Sequence, residues 1–336
     1  MDKQQWVPVS KPKRRGRGCL VWLGGMVAAL LGLTLLGALY ESLAEAADRR
    51  AYPPPGQLVD VGGYQLHINC VGTGSPTVVI EAGWGDWSAT WGSRVQPEVA
   101  RTTRVCTYDR AGMGWSEPGP LPRTARQFAR ELHTLLTNAG IAGPYVLVGH
   151  SLGGTTVRVF AHAYAAEVAG VVLIDSMHPD QAANDAPSAP PALPARPSIL
   201  SILTLPARIG VPRLLARPLR LSAGLSLEVA NAYVAYSVTP RYFQTYLLDE
   251  GAGMGTSLAQ AAAVTTLGDL PLIVLSRGLD PDADWQRMQA DLPHLSSQSQ
   301  HLVAEQSGHN VQIDQPEAAV GAIVTMVERV RGQTAR

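Results

Sequence analysis

Read from its amino end, the chain starts with polar and basic positions and then enters CLVWLGGMVAALLGLTLLGALY, residues 19–40, 22 positions without a charge. As a helix such a run reaches about 33 Å, matching the roughly 30 Å hydrocarbon layer of a bilayer, so a membrane-spanning helix is predicted. Residues 41–56 return to charge and end in Pro53-Pro54-Pro55, the pattern of a stiff spacer. Two alternating runs then flank Gly62-Gly63 and predict a β-hairpin, with His67 at an ordinary strand position. A short apolar run at residues 77–80 is read as a buried strand, and segments 104–109, 144–148, 171–175, 270–276 and 300–305 are each read as a further strand. Between them lie helical periods. Residues 122–139 place Phe128, Leu132, Leu135 and Leu136 on one face, with Thr124 as N-cap. Residues 152–166 form a second helix. A last helix is capped by Asp314, carries Pro316 in its first turn, and turns Val320, Ile323, Val324 and Val327 inward. This alternation predicts an α/β protein with a mostly parallel sheet.

The alternation stops between His178 and Thr266. Pro and Ala dominate residues 186–197, and beyond them Arg208, Arg213, Arg217 and Arg220 are interleaved with Ile209, Val211, Leu214, Leu215 and Leu219. This reads as a helical insertion over the sheet edge. Its arginine stems either lie along apolar neighbours on a solvated face or bring the insertion against lipid.

Composition adds topology more than chemistry. The chain has 336 residues, 46% hydrophobic and 16% charged, which suits a sizeable globular core, and its net charge of zero gives no electrostatic footprint for nucleic acid. The three lysines, Lys3, Lys11 and Lys13, all precede the apolar run, and Arg14, Arg15 and Arg17 follow them. That flank predicts a cytoplasmic tail at residues 1–18 and a domain on the far side of the membrane. Ala44-Glu45-Ala46 supports a competing reading, a cleaved signal and a secreted domain, although the apolar run exceeds the roughly 7–15 residues usual for signals. A buried core helix is the third reading of the run. Cys70 and Cys106 either pair, as in an exported domain, or remain two buried thiols. No metal-ligand cluster, phosphate loop or dinucleotide fingerprint is present, so no cofactor is expected.

The candidate chemistry sits in Val146-Leu-Val-Gly-His-Ser-Leu-Gly-Gly154, where Gly149-x-Ser151-x-Gly153 follows an apolar run and precedes a helix. This is the spacing of a nucleophile elbow, a sharp strand-to-helix turn that exposes a serine hydroxyl. A plain Gly-rich turn after a buried strand has the same five residues. Serine is a weak nucleophile at neutral pH and needs a histidine base and a carboxylate that orients it. His309, after the last strand and beside Gly308, has the required position. His301 falls within a strand, His133 and His162 within helices, and His178 precedes the insertion; His150 adjoins Ser151 and suits a supporting role. Asp109 and Arg110 read as structural ties within their own Gly-rich turn.

Taken together, the Gly62-Gly63 hairpin, Glu81-Ala82-Gly83-Trp84, YDRAGMGWS (residues 108–116), GHSLGG (149–154), VVLID (171–175) and SGHNVQIDQPE (307–317) resemble, in order, the α/β-hydrolase fold superfamily. The resemblance spans residues 57–332 apart from the insertion. It implies a mostly parallel eight-stranded sheet with helices on both faces and a helical cap after strand six. The division is then a linker at 41–56, core at 57–177, cap at 178–266 and core again at 267–332. It also implies Ser151 as nucleophile, His309 as base, and an oxyanion hole from the backbone N–H groups of Leu152 and Trp84. Where many relatives have His-Gly after the third strand, this chain has Ala82-Gly83, which alters side-chain bonding in the loop but not its backbone. The acid stays open. Relatives usually place it three residues beyond a Gly after strand seven, where this chain has Pro281 among Asp280, Asp282 and Asp284; a minority use the end of strand six, here Asp175. A membrane-anchored serine hydrolase acting on hydrophobic carboxylic esters is expected. Amide, peptide or lactone cleavage by the same groups and a non-enzymatic ligand-binding scaffold are the alternatives.

Overall fold

The computed structural model describes residues 16–181, 204–216 and 224–334, so residues 1–15 of the basic tail, the Pro/Ala-rich stretch at 186–197 and Arg217, Leu219 and Arg220 lie outside the described residues. Eight strands form one sheet: β1 (Gln57–Asp60), β2 (Gln65–Val71), β3 (Thr77–Glu81), β4 (Val105–Tyr108), β5 (Tyr145–His150), β6 (Val168–Ile174), β7 (Leu272–Arg277) and β8 (Ser299–Ala304). Their spatial order is β1-β2-β4-β3-β5-β6-β7-β8. The hairpin strands pair antiparallel and every pairing from β4 to β8 is parallel. The apolar runs lie in the middle of the sheet because helices cover both of its faces, so the strands carry apolar residues on successive positions and lack polar alternation. Leu132, Leu135 and Leu136 of the Ala125–Asn138 helix pack on one face with Val157 and Phe160 of Leu152–Ala163. Trp91, Val95, Val99, Ile323, Met326 and Val327 cover the other.

Register decides where chemistry can assemble. Glu81 pairs with Gly149, His150 with Ile174, and Ile174 with Leu275, so the carboxyl ends of β3, β5, β6 and β7 are level. The chain leaves β3 toward β4 on one side and returns through β5 on the other. The turns after β3 and β5 thus flank the reversal of strand order, where open α/β sheets leave a crevice.

Three local expectations change. Thr124 occupies the N-cap position but its side chain makes no capping bond; Ser257 Oγ and Gln260 Oε1, from the Gly251–Ala262 helix, accept from the N–H groups of Ala125 and Arg126 at 3.0 and 2.8 Å. Asp314 ends a short helix, Val311–Asp314, and accepts from Gly308 N at 3.1 Å, so it steadies the preceding loop and does not cap the final helix, Pro316–Thr334. The final helix buries Ile323 and Val327 as expected, but Ala319, Ala322, Met326 and Val330 complete its inner face, while Val320 and Val324 are only half-buried. Cys70 and Cys106 are directly opposite in the β2–β4 register and form a disulfide, which resolves the two readings of these cysteines.

The apolar run forms part of one helix, Gly16–Ala51, whose residues from Val21 onward are long and apolar enough to cross a membrane. The segment read as a spacer is helical as far as Ala51 and is held by the insertion. Arg213 donates to both carboxylate oxygens of Glu41 at 2.8 Å and to Asp48 at 2.5 Å, and Glu41 is 2% exposed. Between β6 and β7 the described residues contain helices and no strand, namely Leu205–Arg208, Val211–Ala216, Leu227–Ser237, Pro240–Phe243, a π-helical turn Gln244–Glu250, and Gly251–Ala262.

Candidate active site

Ser151 lies directly after β5 with φ 51° and ψ −122°. This left-handed backbone is unfavourable for a residue with a Cβ. It is held by flanking hydrogen bonds: Ser151 N donates to Ile174 O at 3.2 Å, and Ser151 O accepts from Gly154 N and Met177 N at 3.0 Å each. The turn leaves no room at its next small residue. A Cβ on Gly153 would lie 2.5 Å from Glu81 O and 2.7 Å from Ala82 O, which is the physical reason the helix can start so close to β3.

His309, in the loop after β8, reaches Ser151 Oγ through Nε2 at 3.0 Å and Asp175 Oδ2 through Nδ1 at 2.5 Å. An ionised carboxylate can only accept, so Nδ1 carries the proton and the Nε2 lone pair faces the serine hydroxyl. Asp175, itself at φ 39°, is fully buried and receives three further donors: Arg277 N at 3.0 Å and Trp285 Nε1 at 2.9 Å on Oδ1, and Arg277 NH1 at 3.1 Å on Oδ2. Burial alone would raise its carboxyl pKa. The hydrogen bonds from His309 and from the Arg277 backbone outweigh that and hold it below the usual carboxylate range.

Asp280 does not reach this chain of contacts. It too has a left-handed backbone, φ 50°, but its carboxylate is exposed and makes no hydrogen bond or ion pair among the described residues. The alternative that Asp280 completes the set is corrected by the path of the turn. Leu279 N is tied to Ser307 O at 3.0 Å and Asp282 caps the Ala283–Asp291 helix through Trp285 N at 2.7 Å, so the segment supplies Trp285 to the site and no acid. Asp284 is exposed on that same helix.

On the other side of Ser151, Gly83 approaches so closely that a Cβ there would lie 2.8 Å from His150 Nδ1 and 3.1 Å from Ser151 Cβ. The Gly83-Trp84 peptide is therefore beside Ser151. Leu152 opens its helix, so its N–H has no intrahelical acceptor. The loop carrying Trp84 is fixed by a residue read as a tie within its own turn. The buried Arg110 donates to Ala82 O and Gly83 O at 2.6 Å each, to Glu81 at 2.7 Å, and to both oxygens of Glu250 at 2.6 and 3.1 Å. Asp109 does hold its own turn, accepting from Trp115 N at 3.0 Å, and also meets the buried His67 at 2.9 Å. Trp84 Nε1 donates to Tyr246 O at 2.9 Å, joining the same loop to the insertion.

His150 points away from Ser151 and supports the His309 loop, its Nε2 donating to His309 O at 2.8 Å. Burial, with His309 close by, pushes its pKa down to about 3, so the ring is neutral. Arg277, Trp285, Glu250 and the second role of Arg110 had no sequence signal as site residues. The nearest was Asp282 three positions before Trp285, a helix start that does not say where the indole points. Among the described residues no group of His, Cys, Asp and Glu could hold a metal.

A family model described as the alpha/beta hydrolase fold matches residues 76–196. The chain has the α/β-hydrolase fold, with its mostly parallel eight-stranded sheet. It is similar to the protein YqjL of Bacillus subtilis, 27% identical over 251 residues, covering 73% of this chain and 81% of that one. It is 35% identical over 127 residues to a protein of Hormonema carpetanum named "Probable transporter efuK", covering 35% of this chain but 18% of that protein's length. Among solved structures, a thermophilic esterase from Thermogutta terrifontis superposes with a TM-score of 0.58 at 23% identity, covering 82% of this chain and 98% of the esterase.

Proposed function

We propose that the protein is a membrane-anchored serine hydrolase that cleaves carboxylic esters through an acyl-enzyme. The observation that carries this reading is the unbroken contact chain from Ser151 Oγ through His309 to the buried Asp175, at 3.0 and 2.5 Å, with Ser151 on a left-handed turn. In this reading His309 Nε2 takes the hydroxyl proton as Ser151 Oγ attacks the ester carbonyl. Asp175 keeps the imidazole in the Nδ1–H form and stabilises the imidazolium that results. Charge developing on the carbonyl oxygen is met by the Leu152 and Trp84 N–H groups, which need no reorganisation because the elbow and the Arg110 contacts already fix both peptides. His309 then returns the proton to the leaving alkoxide, and water, activated by the same imidazole, releases the acid.

The apolar helix supports an uncleaved anchor. The Ala44-Glu45-Ala46 sequence lies inside continuous helix, and the buried contact between Glu41 and Arg213 crosses it from the membrane side to the domain. The Cys70–Cys106 disulfide fits a domain on the oxidising side of that membrane.

Labelling with a fluorophosphonate probe tests the reading. The folded full-length protein is expected to label and Ser151→Ala to remain unlabelled, with ester turnover falling by about 10⁵-fold or more. A folded wild type that does not label, or a Ser151→Ala variant that does, is incompatible with it.

A further inference from the structure

The insertion touches the apolar helix within its uncharged span. A Cβ on Gly37 would lie 2.8 Å from Ile209 O and 2.9 Å from Ile209 Cβ, and one on Gly210 would lie 2.8 Å from the Tyr40 ring. One residue further on, Glu41, the first charge after the span, meets Arg213. Gly37 precedes Tyr40 by three residues, about 4–5 Å along the helix axis toward the middle of the span. The 22 uncharged residues reach about 33 Å against the roughly 30 Å they must cross. There is little slack to lift Gly37 into water, so Ile209 is carried to the depth of the acyl chains.

Around this contact the insertion presents apolar side chains that no part of the described chain covers. Leu205, Leu214 and Leu215 are 54%, 63% and 47% exposed, on the two short helices either side of Ile209 and Gly210. Arg208 is exposed on the same segment, and Arg213 is consumed by Glu41 and Asp48 at the level where the span ends. An apolar face with basic residues at its border, joined to a spanning helix at its apolar end, matches the chemistry of a membrane interface.

We infer that residues 205–216 form a second membrane contact, with Leu205, Leu214 and Leu215 inserted among lipid acyl chains beside the spanning helix. This rests on the membrane-anchor reading above. The insertion is then held at the bilayer surface, and the loop beside Ser151 is tied to it through Trp84–Tyr246 and Arg110–Glu250.

The test uses the full chain reconstituted in phosphatidylcholine vesicles. Cys19→Ser leaves only the disulfide cysteines, and an environment-sensitive fluorophore is attached to Leu214→Cys, to Leu30→Cys in the span, or to Arg101→Cys, an exposed site before β4. Phosphatidylcholine bearing a doxyl quencher on its acyl chain is then added to the vesicle composition. Blue-shifted emission quenched by the doxyl lipid is expected at positions 30 and 214, and neither effect at 101. Quenching at 30 without quenching at 214 overturns the second contact and leaves the anchor intact. A blue shift at 214 that the doxyl lipid does not quench also overturns it, because protein, such as a second copy, then covers the leucines. Absence of quenching at 30 overturns the anchor and the inference with it.

Discussion

The turns after β6 and β7 begin alike. Each places an aspartate in the left-handed region shortly beyond a buried strand, Asp175 at φ 39° and Asp280 at φ 50°. One carboxylate is buried under four donors, His309 among them; the other is exposed and makes no hydrogen bond or ion pair among the described residues. The turn after β6 supplies the carboxylate that meets His309, while the end of β7 and the segment beyond it supply what orients that carboxylate: the Arg277 backbone and guanidinium, and the helix that brings in Trp285. Backbone conformation does not distinguish the two aspartates; the density of donors around each carboxylate does.

The largest effect that could break this comparison is on turnover. Asp175→Asn should lower kcat by about 10⁴-fold, since an amide can present its N–H to Nδ1 and favour the wrong tautomer. Comparable activity in Asp175→Asn and wild type would remove Asp175 from the mechanism.

Stability against pH comes next, through the His150 that suspends the His309 loop. A histidine whose folded pKa is lowered from 6.5 to about 3 binds fewer protons when folded. Its contribution is therefore complete above pH 6.5 and lost as pH falls toward 3, on the order of 5 kcal/mol in all. Denaturant midpoints measured across that interval should fall less steeply in His150→Gln than in wild type. Equal slopes would mean that the ring is not buried neutral.

Trp285→Phe sharpens the comparison by removing one donor and keeping the ring. A hydrogen bond to a charged group is worth about 1.5–3 kcal/mol, so kcat/KM should fall by about 10- to 100-fold while fluorophosphonate labelling persists. An unchanged pH–rate profile would sink the claim that the indole acts through Asp175. Smallest of all, Asp280→Asn should leave kcat within about twofold, as expected for an exposed surface change. Asp282→Ala should cost about 1 kcal/mol of unfolding free energy by removing the N-cap of the helix that carries Trp285. A large catalytic loss in Asp280→Asn would reverse the assignment of the acid.

How far the site could be read from sequence follows from how local each feature is. Ser151 was legible because an elbow is written in five consecutive residues, each with a steric reason to be there. His309 was legible because a histidine beside Gly308 between the last strand and last helix has few other placements. Asp175 and Asp280 both stayed open from the chain, because each lies just beyond a predicted strand and nothing local says which carboxylate meets His309. The insertion was legible as a break in periodicity, but its contacts were not. Nothing near Arg213 says that it will meet Glu41 and Asp48, which are more than 160 positions earlier. For the same reason residues 41–51 read as a spacer and proved to be helix packed on the insertion.

The amino-acid sequence by itself determined the alternation of buried strands and amphipathic helices, the apolar span, the elbow at Ser151 and the position of His309, since each is a matter of spacing along a few turns or one strand. Only the tertiary structure decided which carboxylate contacts His309, the pairing of Cys70 with Cys106, the anchoring of the Trp84 loop by Arg110, and where residues 205–216 meet the apolar helix. Those outcomes depend on strand register and on which side chains burial brings together across large separations, and no local pattern encodes them.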